Sequence, residues 1–395
     1  MIGIYIHVPY CSVRCSYCDF YLVAGHRPDT GPFVRSLARE IRSIEGPLHG
    51  RGVDTVHFGG GTPSLLAPRD LEGILDTIRG TFRLAENAEI GLEVNPEDVD
   101  ARWLERIVGA GVNRLSLGVQ SLDDGQLRMM RRPHSSARAI AAISAAVRSG
   151  ARSVGVDLML GMPDQGEAGA LGGIDRMISA GVSHVSIYLL ELHERTRLGR
   201  SIRLGRVTPM EDDAAAALFE RAADALTRAG FDHYEVSNFA RPGHRSRHNL
   251  KYWTDQEYVG FGPAAHSYLG GRRFHNPHDL ATYLRQGGES IERIEDPQPR
   301  AVRGFEALCA GLRLCDGVDL DELRGRYGPT VPSPGDPRLG ELLEAGLVSI
   351  EGTRLRIAER ARLVSNEILT RLLGQAPGPR SPWGRDEGSS RSQLI

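Results

Sequence analysis

Apolar residues in the first two-thirds of the chain follow two alternating patterns. Short, nearly unbroken apolar runs at Ile2–Val8, Thr55–Phe58, Ile90–Val94, Arg114–Val119, Ser153–Leu160 and His184–Leu190 predict strands buried on both faces. Between and after them, apolar positions recur three and four residues apart at Pro32–Ile44, Pro68–Thr81, Ala101–Gly109, Ser136–Ser149, Ala168–Ala180 and Glu211–Ala229. That spacing marks one face of a helix. Several of these helices run into a glycine followed by an apolar residue (Gly111, Gly150, Gly181 and Gly230), where a left-handed residue closes a helix. Strand–helix alternation predicts βα units on a parallel sheet. Six or seven units over roughly 240 residues predict an α/β fold of the barrel type, complete or partial, with chemistry at the carboxyl ends of the strands.

From about Asn238 the pattern changes. Arg241–Asn249 is polar and basic, and Val259–Ala265 is rich in glycine. A helical run spans Arg300–Leu314, and a proline-rich break follows at Gly328–Pro337. Beyond it the sequence predicts a short helix, strands at Leu347–Glu351 and Arg354–Ile357, and a helix over Arg360–Leu373. The expected division is therefore a barrel over 1–240, a connecting region over 241–299, and a smaller, mainly α, winged-helix-like domain over 300–374. The Pro-, Gly-, Ser- and Arg-rich tail, 375–395, is expected to be disordered.

Charge and composition narrow the function. The 395 residues carry 48 basic and 50 acidic side chains, a balance with no general footprint for nucleic acid or membrane. The opening Met-Ile-Gly-Ile-Tyr-Ile-His lacks the basic start and long apolar core of a secretory signal. No apolar run approaches the ~20 residues that span a bilayer. The expected compartment is the cytoplasm, where thiols stay reduced.

The chemistry concentrates in Cys11-Ser-Val-Arg-Cys15-Ser-Tyr-Cys18, directly after the first strand. Three soft thiolates on one loop can hold three irons of a [4Fe-4S] cubane and leave the fourth iron without a protein ligand. The alternative is a Cys₃His zinc site completed by His7, although zinc sites usually pair their cysteines at loop-closing distances. Cys309 and Cys315, in or beside an apolar helix, read as buried structural thiols.

Around the triplet, Ile4-Tyr5-Ile6-His7-Val8-Pro9-Tyr10, Gly59-Gly60-Gly61-Thr62-Pro63-Ser64, Glu93-Val94-Asn95-Pro96, Gly118-Val119-Gln120-Ser121 and Asp157-Leu-Met-Leu-Gly161-Met-Pro163 together resemble the coproporphyrinogen III oxidase-like branch of radical S-adenosylmethionine (SAM) proteins. The resemblance runs from Ile2 to about Leu373. It implies that Tyr5 lies near the cluster, that Gly60, Gly61 and Thr62 contact the methionine part of SAM, and that Glu93, Gln120, Arg132 and Asp157 complete the SAM site. It also extends to Gly260–His266 as a loop over the adenine. The residues suit such roles: glycines let backbone approach a ligand, and polar groups ending apolar strands need partners. The structural reading of the same polar residues is that they cap the following helices.

Two departures divide the branch. The oxidases continue as CxxxCxxCxC, whereas Phe20 stands at that fourth position here. They also carry an N-terminal extension, whereas the first strand here begins at residue 2. Both departures resemble the HemW branch, regarded as heme chaperones, as does His248-Asn-Leu-Lys-Tyr-Trp253, an HNxxYW motif. That likeness implies heme as a third cofactor, with His248 as a candidate iron ligand, aromatic faces from Tyr252 and Trp253, and Lys251, Arg245 and Arg247 near the propionates. It implies heme-accepting client proteins as partners, and leaves open a homodimer and peripheral membrane contact. Two other readings stand beside it: oxidative decarboxylation of a tetrapyrrole, and a metal-stabilised DNA-binding protein using the C-terminal unit.

Overall fold

Strand β1, Ile2–Val8, is buried along almost its whole length, because both faces of a parallel strand are covered. In the computed structural model, which describes residues 1–25, 28–44, 48, 51–288 and 290–373, it is flanked by parallel neighbours on both sides. On one side follow β2 (Gly52–Gly60), β3 (Arg83–Val94), β4 (Arg114–Gln120), β5 (Ser153–Leu160) and β6 (His184–Leu189), and then the short β7 (Asn238–Ala240). These six βα units form the expected partial barrel. Helices start where side chains satisfy their first amides: Asp100 caps Ala101–Gly109, Asp123 caps Asp124–Met129 and Ser135 caps Ser136–Arg148. Gly111, Gly150, Gly181 and Gly230 all have positive φ, as helix-closing residues require.

On the other side of β1 the sheet continues where a loop was expected. β8 (Tyr258–Phe261) pairs parallel with β1, and β9 (His266–Leu269), β10 (Arg272–His275) and β11 (Ile294–Asp296) extend it in antiparallel register. Gly260 and Gly262 are glycines because backbone approaches them. A Cβ on Gly260 would lie 2.2 Å from the His266 carbonyl oxygen, and one on Gly262 would lie 2.4 Å from that of His7. The helix α1, Gly31–Ser43, ties this extension down. Its Glu40 accepts hydrogen bonds from Gly262 N (2.9 Å), Asn276 Nδ2 (2.7 Å) and Tyr283 OH (2.7 Å).

The chain divides into two compact units: Met1–Asp232, Phe239–His248 and Glu257–Asp296 form the first; His233–Asn238, Asn249–Gln256 and the chain from Pro297 form the second. Most of the expected connecting region thus belongs to the first unit's sheet. The second unit has helices Arg300–Gly311, Leu320–Tyr327, Pro337–Glu344 and Ser365–Leu373 and a three-stranded antiparallel sheet of Val318–Asp319, Arg354–Ile357 and Val348–Glu351. Its own core gathers Leu308, Leu320, Val331, Leu339, Leu355 and Ile368. Cys309 packs against that core. The tail expected to be disordered lies outside the described residues.

Candidate functional site

The cysteine loop leaves β1 at the carboxyl end of the sheet and is held from two sides. Ser16 donates through its hydroxyl to Met129 O (2.8 Å) and through its amide to Met130 O (3.1 Å), while Leu198 N donates to Ser16 O (2.8 Å). Arg14 Nη2 donates to Leu22 O (3.1 Å), closing the loop on itself. Cys11, Cys15 and Cys18 line one cavity of about 150 Å³ together with Gly60, Gly61, Thr62, Glu93, Gln120, Arg132 and Asp157. Ten of the residues singled out from the sequence therefore converge, from five different strands or their exit loops.

Backbone conformation opens the cavity. Gly60 has φ +103°, and a Cβ there would lie 2.7 Å from the His7 ring. A Cβ on Gly61 would meet the Tyr10 carbonyl oxygen at 2.6 Å. Gln120 takes φ 66°, where β4 breaks register against β5. A non-glycine residue in that region is strained and is commonly found at ligand sites.

Arg132 organises one wall. Nη2 donates to Asn95 Oδ1 (2.6 Å) and Gly118 O (2.7 Å), and Nη1 donates to Cys15 Sγ (3.5 Å). Its Nε is buried with no hydrogen-bond partner, a donor left over for a ligand. Thr62 Oγ1 donates to Cys11 Sγ (3.3 Å). On the opposite wall Ser116 Oγ donates to Asp157 Oδ1 (3.1 Å). Burial raises Asp157 to about 6, opposed by the Ser186 hydrogen bond and reinforced by Glu93. Burial likewise lifts the Cys11 thiol to about 11 and the Cys18 thiol to about 12, so only a strong electrophile such as iron would draw their protons off at neutral pH.

The donor set fits a cubane better than zinc. Among the described residues no three His, Cys, Asp or Glu side chains have the geometry for a single ion. Three thiols spread around one cavity suit a cluster, whose irons each take a different cysteine. His7, the fourth ligand of the zinc alternative, is buried with Nδ1 3.1 Å from Tyr5 OH and does not line the cavity. Phe20, at the position of the oxidases' further cysteine, lines the cavity and cannot ligate.

Two expected residues and one expected loop do not line this cavity. Tyr5 is beneath the cavity, its ring stacked on His57 (centroids 6.3 Å apart). Gly260–His266 is not in the cavity wall; Gly262 packs over His7 instead. His248 is only 2 % exposed. Its Nδ1 is 2.9 Å from Thr55 Oγ1, its amide donates to Glu89 Oε1 (2.9 Å), and its ring stacks on His57 (5.2 Å). Burial on the barrel floor argues against an iron ligand and for a structural tie. The neighbouring cations are similarly engaged: Lys251 Nζ donates to Gln256 Oε1 (3.1 Å), and Arg247 Nη1 donates to Asn87 O (2.7 Å). Sequence reasoning missed His57, whose Nε2 donates to Glu93 Oε1 (3.1 Å) from under the cavity. The signal was present, as the one ionisable residue in the run Thr55–Phe58.

Comparison with known proteins agrees with this geometry. The radical SAM superfamily model matches residues 5–170, and the HemN C-terminal domain model matches residues 298–364. The heme chaperone HemW of Mycobacterium tuberculosis is 37% identical over 380 residues, covering 94% of this chain and 95% of that protein. The heme chaperone HemW of Escherichia coli is 38% identical over 379 residues, covering 95% and 98%. The mitochondrial radical S-adenosyl methionine domain-containing protein 1 of Bos taurus is 38% identical over 395 residues, covering 94% and 87%. Among solved structures, the coproporphyrinogen III oxidase HemN of Escherichia coli superposes with a TM-score of 0.81 at 21% identity, covering 94% of this chain and 89% of that one, which establishes the shared fold. With its three cysteines on one cavity and relatives of this identity along nearly its whole length, the chain belongs to the HemW family of the radical SAM superfamily.

Proposed function

We propose that this chain is a heme chaperone that holds a [4Fe-4S] cluster and SAM in its barrel, binds heme, and passes it to client proteins. The observation that carries the cluster and SAM part is the convergence of Cys11, Cys15 and Cys18 with Arg132, Glu93 and Asp157 on one cavity. The heme part rests on the family. When bound, the cluster supplies a reducing electron and an open iron to which SAM can chelate.

The chain's own residues do the rest. Arg132 sets a fixed positive charge beside Cys15 and keeps its buried Nε available for an acceptor, such as a carboxylate. Gly60, Gly61 and Thr62 bring backbone close to the methionine part of the ligand. Glu93, held by His57, and Asp157, held by Ser116, face a cationic ligand with two carboxylates. Gln120 offers an amide to ribose or adenine.

The site belongs to the cytoplasm in this reading, where Cys309 and Cys315, both free, stay reduced. No helix among the described residues is long and apolar enough to cross a membrane. The deciding experiment is anaerobic reconstitution followed by iron, sulfide and SAM stoichiometry and a heme titration. About four irons and four sulfides, one SAM and one heme per chain are expected, with metal and SAM lost in Cys15→Ser. Stoichiometric zinc without sulfide would refute the cluster, and conversion of coproporphyrinogen III to protoporphyrinogen IX would replace the chaperone by the oxidase.

A further inference from the structure

The heme reading needs an iron ligand, and His248 is buried with its ring packed between neighbours. The other end of the sheet carries three imidazoles in mutual contact. His266 and His275 stand opposite each other in the antiparallel β9–β10 ladder, with ring centroids 5.0 Å apart. His278 lies 4.9 Å from His275 and 6.2 Å from His266. All three rings are half-buried, neither sealed in the core nor free in solvent. Resting on the heme reading above, we propose that the heme iron is bound by this imidazole cluster, with His275 as the axial ligand.

Tautomer and rigidity single out His275. Its Nδ1 lies 2.9 Å from the Asn276 carbonyl oxygen, which can only accept, so Nδ1 carries the hydrogen and Nε2 carries the lone pair. Imidazoles that bind metals are typically oriented this way, the second nitrogen held by a carbonyl. The segment bearing it is pinned. Asn276 N donates to Ala265 O (2.9 Å), Ala264 N to Pro277 O (2.8 Å), and Asn276 Nδ2 to both Glu40 Oε1 (2.7 Å) and Gly262 O (2.8 Å). A buried carboxylate with three hydrogen-bond donors is a costly fitting for an ordinary surface turn. Here it fixes the backbone that presents two of the histidines.

The chemistry favours heme over a bare ion. No three donors among the described residues are placed for a single metal ion, whereas heme iron already has four macrocycle nitrogens and needs one imidazole from the protein. The surroundings match a flat, apolar dianion. Ile294, in register with His275 on the edge strand, is 48% exposed. Arg273, two residues along β10 on the same face and opposite Asp296 in the ladder, brings a cation to that face and lies over the Tyr268 ring (5.9 Å).

The test uses the full chain, reconstituted anaerobically with its cluster and titrated with ferric heme, followed by Soret absorbance and electron paramagnetic resonance. Four proteins are compared: wild type, His275→Gly, the triple variant His266→Ala/His275→Ala/His278→Ala, and His248→Ala. Iron, sulfide and circular dichroism serve as folding controls. His275→Gly is expected to weaken heme binding at least tenfold and shift the Soret band, and added imidazole is expected to restore the wild-type band, a rescue that a merely structural role would not give. The triple variant is expected to lose the histidine-ligated signal, and His248→Ala to keep it. Wild-type spectrum and affinity in the triple variant would overturn the assignment while leaving the heme reading intact. Failure of the wild type to bind heme would overturn both. Loss of the signal in His248→Ala alone would return the ligand to the HNxxYW motif.

Discussion

At the scale of single residues, the site is a set of polar groups placed where burial is costly unless a ligand compensates. Asp157 is the clearest case. Burial raises its carboxyl to about 6, against an unfolded value of about 3.9. A folded-state pKa above the unfolded one means the ionised form destabilises the ligand-free protein. That penalty is absent below about pH 4, grows as pH rises, and is complete above about pH 6. Two units correspond to at most about 3 kcal/mol. Asp157→Asn is therefore expected to raise the denaturation midpoint of the ligand-free protein at pH 7.5, with the gain shrinking towards pH 5. The same change is expected to weaken SAM, since it removes a charge facing a cationic ligand. Equilibrium denaturation at the two pH values, paired with SAM titration, checks both signs. A variant that is less stable at pH 7.5 and binds SAM normally would show that Asp157 is an ordinary structural carboxylate.

At the scale of elements, the βα alternation was legible because each strand is buried on two faces and each helix on one. Strands β1 and β5 and helices Pro68–Thr81 and Ala101–Gly109 begin and end where the apolar pattern places them. The extension β8–β11 was not legible, for a physical reason. Its strands are three or four residues long, and Gly260 and Gly262, glycines because backbone passes so near, look in sequence like a loop. Glu40 was equally opaque, since a carboxylate at a helical position reads as solvent-facing, yet it is fully buried. The cysteine triplet and the glycine run were legible because their chemistry is local. The burial of His248 against His57 was not, because motif spacing says nothing about which way a ring faces. Glu40 gives the test at this scale. Glu40→Ala would leave Gly262 N and Tyr283 OH without their acceptor, Asn276 Nδ2 with Gly262 O alone, and Arg293 without the carboxylate 3.6 Å away. Removing one member of such a buried set costs roughly 3–5 kcal/mol. Hydrogen exchange is expected to accelerate at Gly262 and across 264–278, while the amides of β3 to β5 exchange as before. Uniform acceleration along the sheet would mean that the extension has no local stability of its own.

At the scale of the whole molecule, the chain is built from two units, each with its own buried core, and the three cysteines belong to the first. A defect confined to the second core should therefore separate stability from cofactor loading. Leu355 is the place to make it. It is fully buried on the central strand of the three-stranded sheet, opposite Val318 on one side and Ile350 on the other. Backbone packs so closely there that a Cβ on Gly317 would lie 2.0 Å from the Leu355 carbonyl oxygen, so the site has little freedom to collapse around a void. Truncation to alanine in such a setting costs roughly 2–5 kcal/mol. Leu355→Ala is expected to lower the unfolding free energy by that amount, followed through Trp253, a buried indole among the described residues of the second unit. Iron, sulfide and SAM content should stay at wild-type levels, because every residue lining the cavity lies outside the damaged core. If the iron–sulfur absorbance were instead lost in step with the Trp253 signal, the two units would be one cooperative body, and the cluster would depend on the C-terminal core for its retention.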